Sequence, residues 1–167
     1  MNRLQRTLAK LDGLPGPLRS AARNFALRRA VPLTGTAGLD FVVLTPERSE
    51  IHIANRRPVQ NHIRGVHAAA MTLVAETATG MVVGMNVRDD CLPLCKSLNV
   101  AFKKRASGAL RAQAHLTAEQ RALLARETKG EVKVAVTVTD EAGIEPIECE
   151  FVWAWVPKET SKDKPQA

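Results

Sequence analysis

The segment "NHIRGVHAAAMTLVAETATG", residues 61–80, decides how this chain can fold. It opens as a polar loop and continues as an alanine-rich run with apolar residues at helical spacing, which predicts a helix from Val66 to about Val82. The alanines at 68–70 would let a sheet approach closely. One acid, Glu76, interrupts the apolar run. If a sheet encloses most of this helix, Glu76 must emerge at a boundary or stay partly buried.

Strand patterns lie on both sides of this helix. "LDFVVLT" and "SEIHIAN" precede it around the turn "PERS", and "CKSLNVAFKKR", "GALRAQAHL", "EVKVAVTVTD" and "IECEFVWAWV" follow it with alternating apolar residues. Strands at such short spacing pair antiparallel, and only the central helix can cover one face of their sheet. We therefore predict an α+β fold with a curved antiparallel sheet wrapped round a central helix. A short helix with a capping box from Thr117 to Gln120 is expected before the last two strands.

Three regions are predicted along the chain. Residues 1–32 form an N-terminal extension of two helices, residues 33–157 the main domain, and residues 158–167 a polar, disordered tail. The extension is rich in arginine, so it could lie on a membrane surface or resemble a targeting peptide. Packing against the main domain is the interpretation we favour.

Composition narrows the function classes. The 167 residues carry a net charge of +7, and no run is apolar enough to span a bilayer, which favours a cytoplasmic protein. An odd number of cysteines, Cys91, Cys95 and Cys149, argues against a disulfide framework, and Cys149 is expected to be a small buried hydrophobe. No metal-ligand spacing, nucleophile elbow or phosphate-binding loop is present. Nucleic-acid binding through the basic N-terminus ranks last, because no aromatic stacking set or helix-turn-helix spacing accompanies it.

The start of the central helix has the chemistry of an oxyanion site. Gly65 permits a tight entry, and the first amides of a helix point outward with partial positive charge. Asn61 supplies an amide that can orient a substrate or a water. Burial of Glu76 would raise its pKa and make it a usable general base. A solvated helix residue is the simpler alternative for Glu76.

These residues resemble the motif of the hot-dog superfamily, particularly the phenylacetate-type acyl-CoA thioesterases. That motif runs from Asn through a loop to His-Gly-Gly and then to a helix with an Asp, and Asn61, His67 and Glu76 occupy the matching positions. "PLTGT" at residues 32–36 resembles a bacterial branch of the superfamily that is a domain of unknown function. Here Glu replaces Asp, so the carboxylate reaches one methylene further. Ala68 and Ala69 replace Gly-Gly, which narrows the approach of the acyl group.

The resemblance implies roles for particular residues. Glu76 stands at the catalytic carboxylate, Asn61 at the orienting amide, and the amides of His67 and Ala68 at the thioester oxygen. Cys95, with Ser97 as its neighbour, aligns with the polar position that completes the site across a dimer. A basic rim for CoA is expected from a set of five residues on the bordering strands and loops: Arg56, Arg57, Lys103, Lys104 and Arg105.

The resemblance also implies substrate and assembly. We expect hydrolysis of an acyl-CoA or acyl-carrier thioester with no cofactor beyond the CoA of the substrate. The alternative is a hot-dog protein that binds the thioester without hydrolysing it. A homodimer or tetramer is expected, because one hot-dog unit leaves a sheet edge unpaired and half a site open.

Overall fold

The computed structural model describes residues 1–159, and residues 160–167 of the predicted tail lie outside that range. The helices are α1 (Arg3–Ala9), α2 (Gly16–Ala30), α3 (Pro32–Ala37), α4 (Ala68–Gly84) and α5 (Ala118–Arg126), with a 3₁₀ turn at Arg57–Val59. The strands are β1 (Asp40–Leu44), β2 (Arg48–Ile53), β3 (Cys91–Phe102), β4 (Leu110–His115), β5 (Gly130–Asp140) and β6 (Ile147–Pro157).

The six strands form one antiparallel sheet in the order β1-β2-β4-β5-β6-β3. Its concave face wraps round α4, which lies chiefly over β4 and β2. Small side chains allow this close approach, since Ala112 and Ala114 on β4 and Ala75 and Ala78 on α4 are fully buried. The predicted hot-dog architecture, an α+β sheet curled round a central helix, is therefore confirmed.

The central helix begins two residues later than the sequence pattern predicted. His67 is its N-cap, with an extended backbone, and the His67 Nδ1 accepts a hydrogen bond from the Ala69 amide at 3.0 Å. Val66 lies before the helix in a bridge to Gln60 and is fully buried. Apolar periodicity does not show that a histidine side chain caps the helix. The pattern therefore placed the start of the helix at Val66 and not at Ala68.

The N-terminal helices pack against the body of the protein. Asn2 caps α1 by accepting from the Gln5 amide, and its Nδ2 donates to the carbonyls of Gly84 and Val87 at the end of α4. Helix α2 lies along β1, where Asn24 Oδ1 accepts from the Phe41 amide at 2.7 Å. Helix α1 thus satisfies carbonyls that the end of α4 leaves open, and α2 covers one edge of the sheet.

The short helix α3 was not predicted. The segment "PLTGT" entered the sequence analysis only through the resemblance, but Pro32 lies in the first turn of a six-residue helix whose C-cap is Gly38. Gly38 has φ +68°, a left-handed conformation that favours glycine at a helix end. Helix α3 lies against α4 and the 3₁₀ turn. It therefore forms part of the wall around the start of the central helix.

The opposite edge strand, β3, is twelve residues long, and no strand among residues 1–159 pairs with its outer side. A β-bulge between Cys95 and Ser97 interrupts its register against β6. Beyond the bulge, Leu98 pairs with Phe151 and Phe102 pairs with Ile147, so both face the concave side. Yet Leu98 is 52% and Phe102 53% exposed, whereas their partners on β6 are buried. This end of the concave face is apolar and uncovered in one protomer.

The sequence predicts that Cys149 is a small buried hydrophobe. Cys149 shares the inward face of β6 with Phe151 but is only half-buried, since exposed β3 residues cover it incompletely. Within residues 1–159, no helix is long and apolar enough to cross a membrane.

Candidate active site

Glu76 lies halfway along α4, half-buried at the wall of a small pocket. The pocket has a volume of about 190 Å³. Its lining comes from α2, α3, β1, α4 and β6 and includes the apolar residues Leu27, Val31, Phe41, Met81 and Trp153. Burial raises the pKa of the Glu76 carboxylate, and the nearby Thr77 hydroxyl offsets part of that rise. A carboxylate with a raised pKa in an apolar pocket is suited to accept a proton near neutral pH.

Thr77 is a second polar group at this pocket. Thr77 is 7% exposed, and its hydroxyl lies close enough to the Glu76 carboxylate to lower that pKa, but within residues 1–159 it completes no hydrogen bond of good geometry. A buried hydroxyl without a partner is costly, so such groups commonly mark the place of a water or ligand. Thr77 therefore offers an unused donor and acceptor beside the Glu76 carboxylate.

The wall opposite Glu76 is fixed by Trp153 on β6. The Trp153 Nε1 donates to Thr79 Oγ1 at 2.9 Å, and that hydroxyl donates to the Glu76 carbonyl at 2.9 Å. The indole ring lies against Gly80, where an added Cβ would stand 2.7 Å from the ring. The backbone of α4 and the ring can approach this closely only because residue 80 has no side chain.

Cys95 and Ser97 lie on opposite sides of the bulge in β3. Cys95 pairs with Trp153 and faces α4, and its half-buried thiol has a pKa raised by burial and by the charge of Glu76. Ser97 pairs with Val152 instead, so it projects from the convex face. The structure thus brings Cys95 to Glu76 but does not bring Ser97 to the same side.

The start of α4 offers fewer free amides than the sequence suggested. The His67 amide donates to the Val59 carbonyl at 2.8 Å, and the Ala69 amide is taken by the His67 side chain. The next two amides, at Ala70 and Met71, both donate to the His67 carbonyl. Of the two predicted donors, His67 is therefore occupied, and the Ala68 N–H has no bond to any group within residues 1–159.

Asn61 shapes the loop that precedes the helix. Its Oδ1 accepts from the backbone amides of Ile63 and Gly65, both at 3.0 Å. The backbone N–H of Asn61 donates to the Gly65 carbonyl. Arg64 in this loop has φ +62°, a conformation that side chains other than glycine seldom adopt. The oxygen of Asn61 is thus used to hold the loop, which leaves its Nδ2 as the group that can contact a ligand.

An apolar cleft and basic side chains surround this loop and the start of α4. The cleft, of about 320 Å³, lies between α3, the 3₁₀ turn and the first turns of α4. Arg57 belongs to that turn, and Lys103, Lys104 and Arg105 lead into Ala106, whose carbonyl lies next to Gly65. Within this group, Lys103 pairs with Glu148 at 2.9 Å. Arg56 lies over Gly38, where an added Cβ would meet its guanidinium.

The predicted site residues therefore form two groups in one protomer. Asn61, His67 and Ala68 lie with the basic side chains at the start of α4, whereas Glu76 and Cys95 lie half a helix away. Eight residues separate Ala68 from Glu76, which corresponds to a rise of about 12 Å. In one protomer these two groups therefore lie at different levels of α4.

Sequence reasoning missed several residues of the Glu76 pocket. Leu27 and Val31 come from the N-terminal helices, whose apolar stripe is blurred in the sequence. Thr77 follows Glu76 directly in the sequence. Because a buried carboxylate needs a polar neighbour, this adjacency was the signal that could have identified it. Trp153 could only be assigned to the core, because its position against Gly80 depends on the register of β6.

The family comparison covers most of the chain. The model of the family DUF4442, a domain of unknown function, matches residues 20–156, which run from within α2 to the end of β6. No curated protein matches the sequence.

Solved structures share this fold across nearly their whole length. A Pseudomonas aeruginosa protein of unknown function, described as a probable thioesterase, is 22% identical with a TM-score of 0.72, over 87% of this chain and 97% of that one. A Haemophilus influenzae thioesterase is 10% identical with a TM-score of 0.64, over 77% of this chain and 85% of that one. A variant of a Staphylococcus aureus thioesterase is 15% identical with a TM-score of 0.65, over 76% of this chain and 100% of that one. At these identities the likeness establishes the fold.

Proposed function

We propose, because the chain belongs to the DUF4442 family and has the hot-dog fold, that it hydrolyses an acyl thioester to a free acid and a thiol. Acyl-CoA or an acyl-carrier thioester is the substrate class. The observation that carries the proposal is Glu76, a half-buried carboxylate with a raised pKa. It occupies the position of the catalytic carboxylate in the thioesterase motif that this sequence resembles. The thioesterase descriptions of several solved hot-dog structures support the reaction type.

The proposed reaction uses the N-terminus of α4 and the carboxylate of Glu76 at its middle. The Ala68 N–H, at the positive end of the α4 dipole, donates to the thioester oxygen and stabilises the charge that develops there. Glu76 takes a proton from a water, which attacks the carbonyl carbon, and the thiolate leaves and takes up a proton. Direct attack by Glu76 to give an anhydride is the alternative route. In this proposal, Asn61 Nδ2 and the Thr77 hydroxyl orient the water or the substrate.

A complete site requires two copies of the chain. Because Ala68 and Glu76 of one protomer are about 12 Å apart along α4, we propose that Ala68 acts with Glu76 of the partner subunit. The β1 edge is covered by α2, whereas the β3 edge is open and carries the exposed Leu98 and Phe102. Pairing of two β3 edges in a homodimer would cover these residues and bring Cys95 near the shared site.

The experiment is a release assay for free thiol with short, aromatic and long acyl-CoAs. Wild type is compared with Glu76→Gln and Ala68→Pro, and the exposed Glu145→Gln serves as the control. Ala68→Pro removes only the amide hydrogen, because proline is well tolerated at the first position of a helix. Glu76→Gln should lower kcat by about 10²- to 10⁴-fold. Ala68→Pro should lower it by about 10²- to 10³-fold. A wild type that releases no thiol from any substrate would refute the hydrolysis.

A second candidate is thioester binding without turnover. One observation favours it: only the Ala68 amide is free where the resembling motif offers two donors, and Cβ atoms at residues 68 and 69 narrow the approach. Stoichiometric binding of acyl-CoA by calorimetry, without release of thiol, would establish this function in place of hydrolysis.

A further inference from the structure

A second apolar cleft lies beyond the Glu76 pocket, between α1, α2 and the end of α4. Its volume is about 430 Å³. The walls carry Leu4, Leu8 and Leu11 from α1, Ala26 and Ala30 from α2, and Val87, Cys91 and Pro93 from the end of α4 and the start of β3. Neither the resembling motif nor the proposed reaction uses this cleft.

Leu27 lines both cavities. It belongs to the wall of the Glu76 pocket and to the wall of the α1–α2 cleft, and it is 9% exposed. Among residues 1–159, Leu27 is the single side chain that the two linings share. It therefore lies between the two cavities. Removal or displacement of this side chain, on a helix outside the curled sheet, is therefore the change expected to join them.

The dimensions suit a divided channel for a hydrocarbon chain. The Glu76 pocket alone, at 190 Å³, is smaller than the roughly 300–1,000 Å³ of ordinary ligand pockets. Joined to the cleft of 430 Å³, it reaches the middle of that range. The combined lining is mostly aliphatic, which favours an alkyl chain over a polar ligand.

Charged residues of both signs also line the cleft, namely Arg3, Arg88, Asp89 and Lys158. Arg88 pairs with Asp90 at 2.7 Å, Arg6 pairs with Asp89 at 2.6 Å, and the Lys158 Nζ donates to the Asp89 carbonyl. Most of the cleft wall is nevertheless aliphatic, which favours an alkyl chain over a charged group. The tail of a ligand, and not its charged head, is therefore expected in the α1–α2 cleft.

From this geometry we infer that the N-terminal helices form the distal half of an acyl-chain site, with Leu27 as the residue that sets the accepted chain length. The inference rests on the proposed function for the position of the thioester beside Glu76. Short acyl groups end in the Glu76 pocket, and longer ones must displace Leu27 to reach the cleft. The substrate class thus extends to thioesters of unbranched fatty acids.

Two substitutions change the channel in opposite directions. Leu27→Ala joins the two cavities and should move the preferred acyl chain to greater length. Ala26→Phe fills the cleft from an exposed position of α2 and should lower kcat/KM for long chains relative to short ones by at least tenfold. Each buried methylene favours binding by up to roughly fourfold, so a difference of two or three methylenes suffices. Ala21→Phe, on α2 but outside both cavities, is the matched control.

The test measures kcat/KM for acyl-CoAs of four to sixteen carbons with the full-length protein and its three variants. Binding of the corresponding S-alkyl-CoA thioethers, which cannot be hydrolysed, is measured in parallel by calorimetry. Opposite shifts in chain-length preference for Leu27→Ala and Ala26→Phe, with Ala21→Phe matching wild type, are expected in both assays.

The outcomes separate the inference from the proposed function. Hydrolysis with the same chain-length profile in all four proteins would overturn the acyl channel and leave the hydrolysis standing. Thioether binding with shifted profiles but no release of thiol would uphold the channel and overturn the hydrolysis. Absence of both binding and hydrolysis would overturn both. Ala26→Phe keeps the test decisive if Leu27→Ala fails to fold, because residue 26 is exposed.

Discussion

At the scale of single residues, Glu76 links activity to stability. Burial raises its pKa above the ordinary 4.5, so kcat/KM should fall as the pH drops through that raised pKa. The folded state then binds the Glu76 proton more tightly than the unfolded state does. Stability is therefore greatest below the ordinary pKa and is lost as the pH rises through the raised one.

Glu76→Gln should consequently be inactive yet more stable than wild type at pH 8, since it carries no buried charge. Near pH 4 the difference in Tm should disappear, because the wild-type carboxyl is then protonated. Thermal unfolding across this pH range measures the effect, with the exposed Glu145→Gln as a control that should follow wild type. A Glu76→Gln protein less stable than wild type at pH 8 would contradict the buried position of this carboxylate.

Asn61 has two separable groups, an oxygen that holds the loop and a nitrogen that is free for a ligand. Asn61→Asp keeps the acceptor and removes the donor, so its Tm should stay close to wild type while kcat/KM falls roughly tenfold, the worth of one hydrogen bond. Asn61→Ala should lose activity and also about 1–2 kcal/mol of stability. Equal activity of Asn61→Asp and wild type would restrict Asn61 to shaping the loop.

These residues show how far the sequence could lead. The spacing of Asn61, His67 and Glu76 identified the segment, because chemistry and helical periodicity are both local properties. The occupied His67 amide depended on Val59, and the pocket of Glu76 depended on Leu27 and Trp153. Such contacts join positions far apart in the chain, and no local pattern specifies them.

At the scale of elements, two glycines of α4 have different surroundings, since Gly80 lies against Trp153 on β6 and Gly84 lies near Leu4 on α1. An alanine at residue 80 would place its Cβ 2.7 Å from the Trp153 ring, whereas one at residue 84 would meet only Leu4 Cδ2, at an ordinary 3.5 Å. Overpacking costs about 1–3 kcal/mol, and replacing a helical glycine by alanine contributes up to about 1 kcal/mol of stability.

The two substitutions should therefore have opposite signs. Gly80→Ala should lower the free energy of unfolding despite its better helix propensity, and Gly84→Ala should raise it by roughly 0.5–1 kcal/mol. Urea unfolding of both variants provides the comparison. Two stabilised variants would show that Trp153 is free to move away from α4.

The order of elements was predictable because each strand and α4 carries its own periodic pattern. The capping box of α5, from Thr117 to Gln120, is present as expected. The short helix α3 and the bulge in β3 were not predicted. Six residues are fewer than the roughly 11 over which helical periodicity can be recognised, and a bulge leaves no periodic pattern. The bulge places Ser97 on the convex face of the sheet, whereas regular alternation from Cys95 would place it on the concave face.

At the scale of the whole molecule, the two sheet edges differ. Side chains of α2 bind the outer edge of β1, whereas β3 offers an uncovered edge with Leu98 and Phe102 more than half exposed. Replacement of both by aspartate should reduce the mass in solution from a dimer to a monomer and abolish hydrolysis. Val42→Asp, on the covered β1 strand, is the control that should keep the wild-type mass by light scattering. A wild type of monomeric mass would contradict the shared site.

A stricter test of the shared site uses complementation between two inactive proteins. Glu76→Gln retains the start of α4, and Ala68→Pro retains the carboxylate. In a mixed dimer, one of the two sites would combine the intact Ala68 of one chain with the intact Glu76 of the other. Random exchange of subunits makes half of the dimers mixed, so the mixture should recover about a quarter of the wild-type activity.

Recovery requires that each site draw its two groups from different subunits, which follows from the separation of about 12 Å along α4. A site contained in one protomer would give no recovery, because every chain in the mixture lacks one of the two groups. Tagged copies purified in tandem confirm that mixed dimers form, and the activity of that fraction, expected at about half of wild type, then measures the shared site directly.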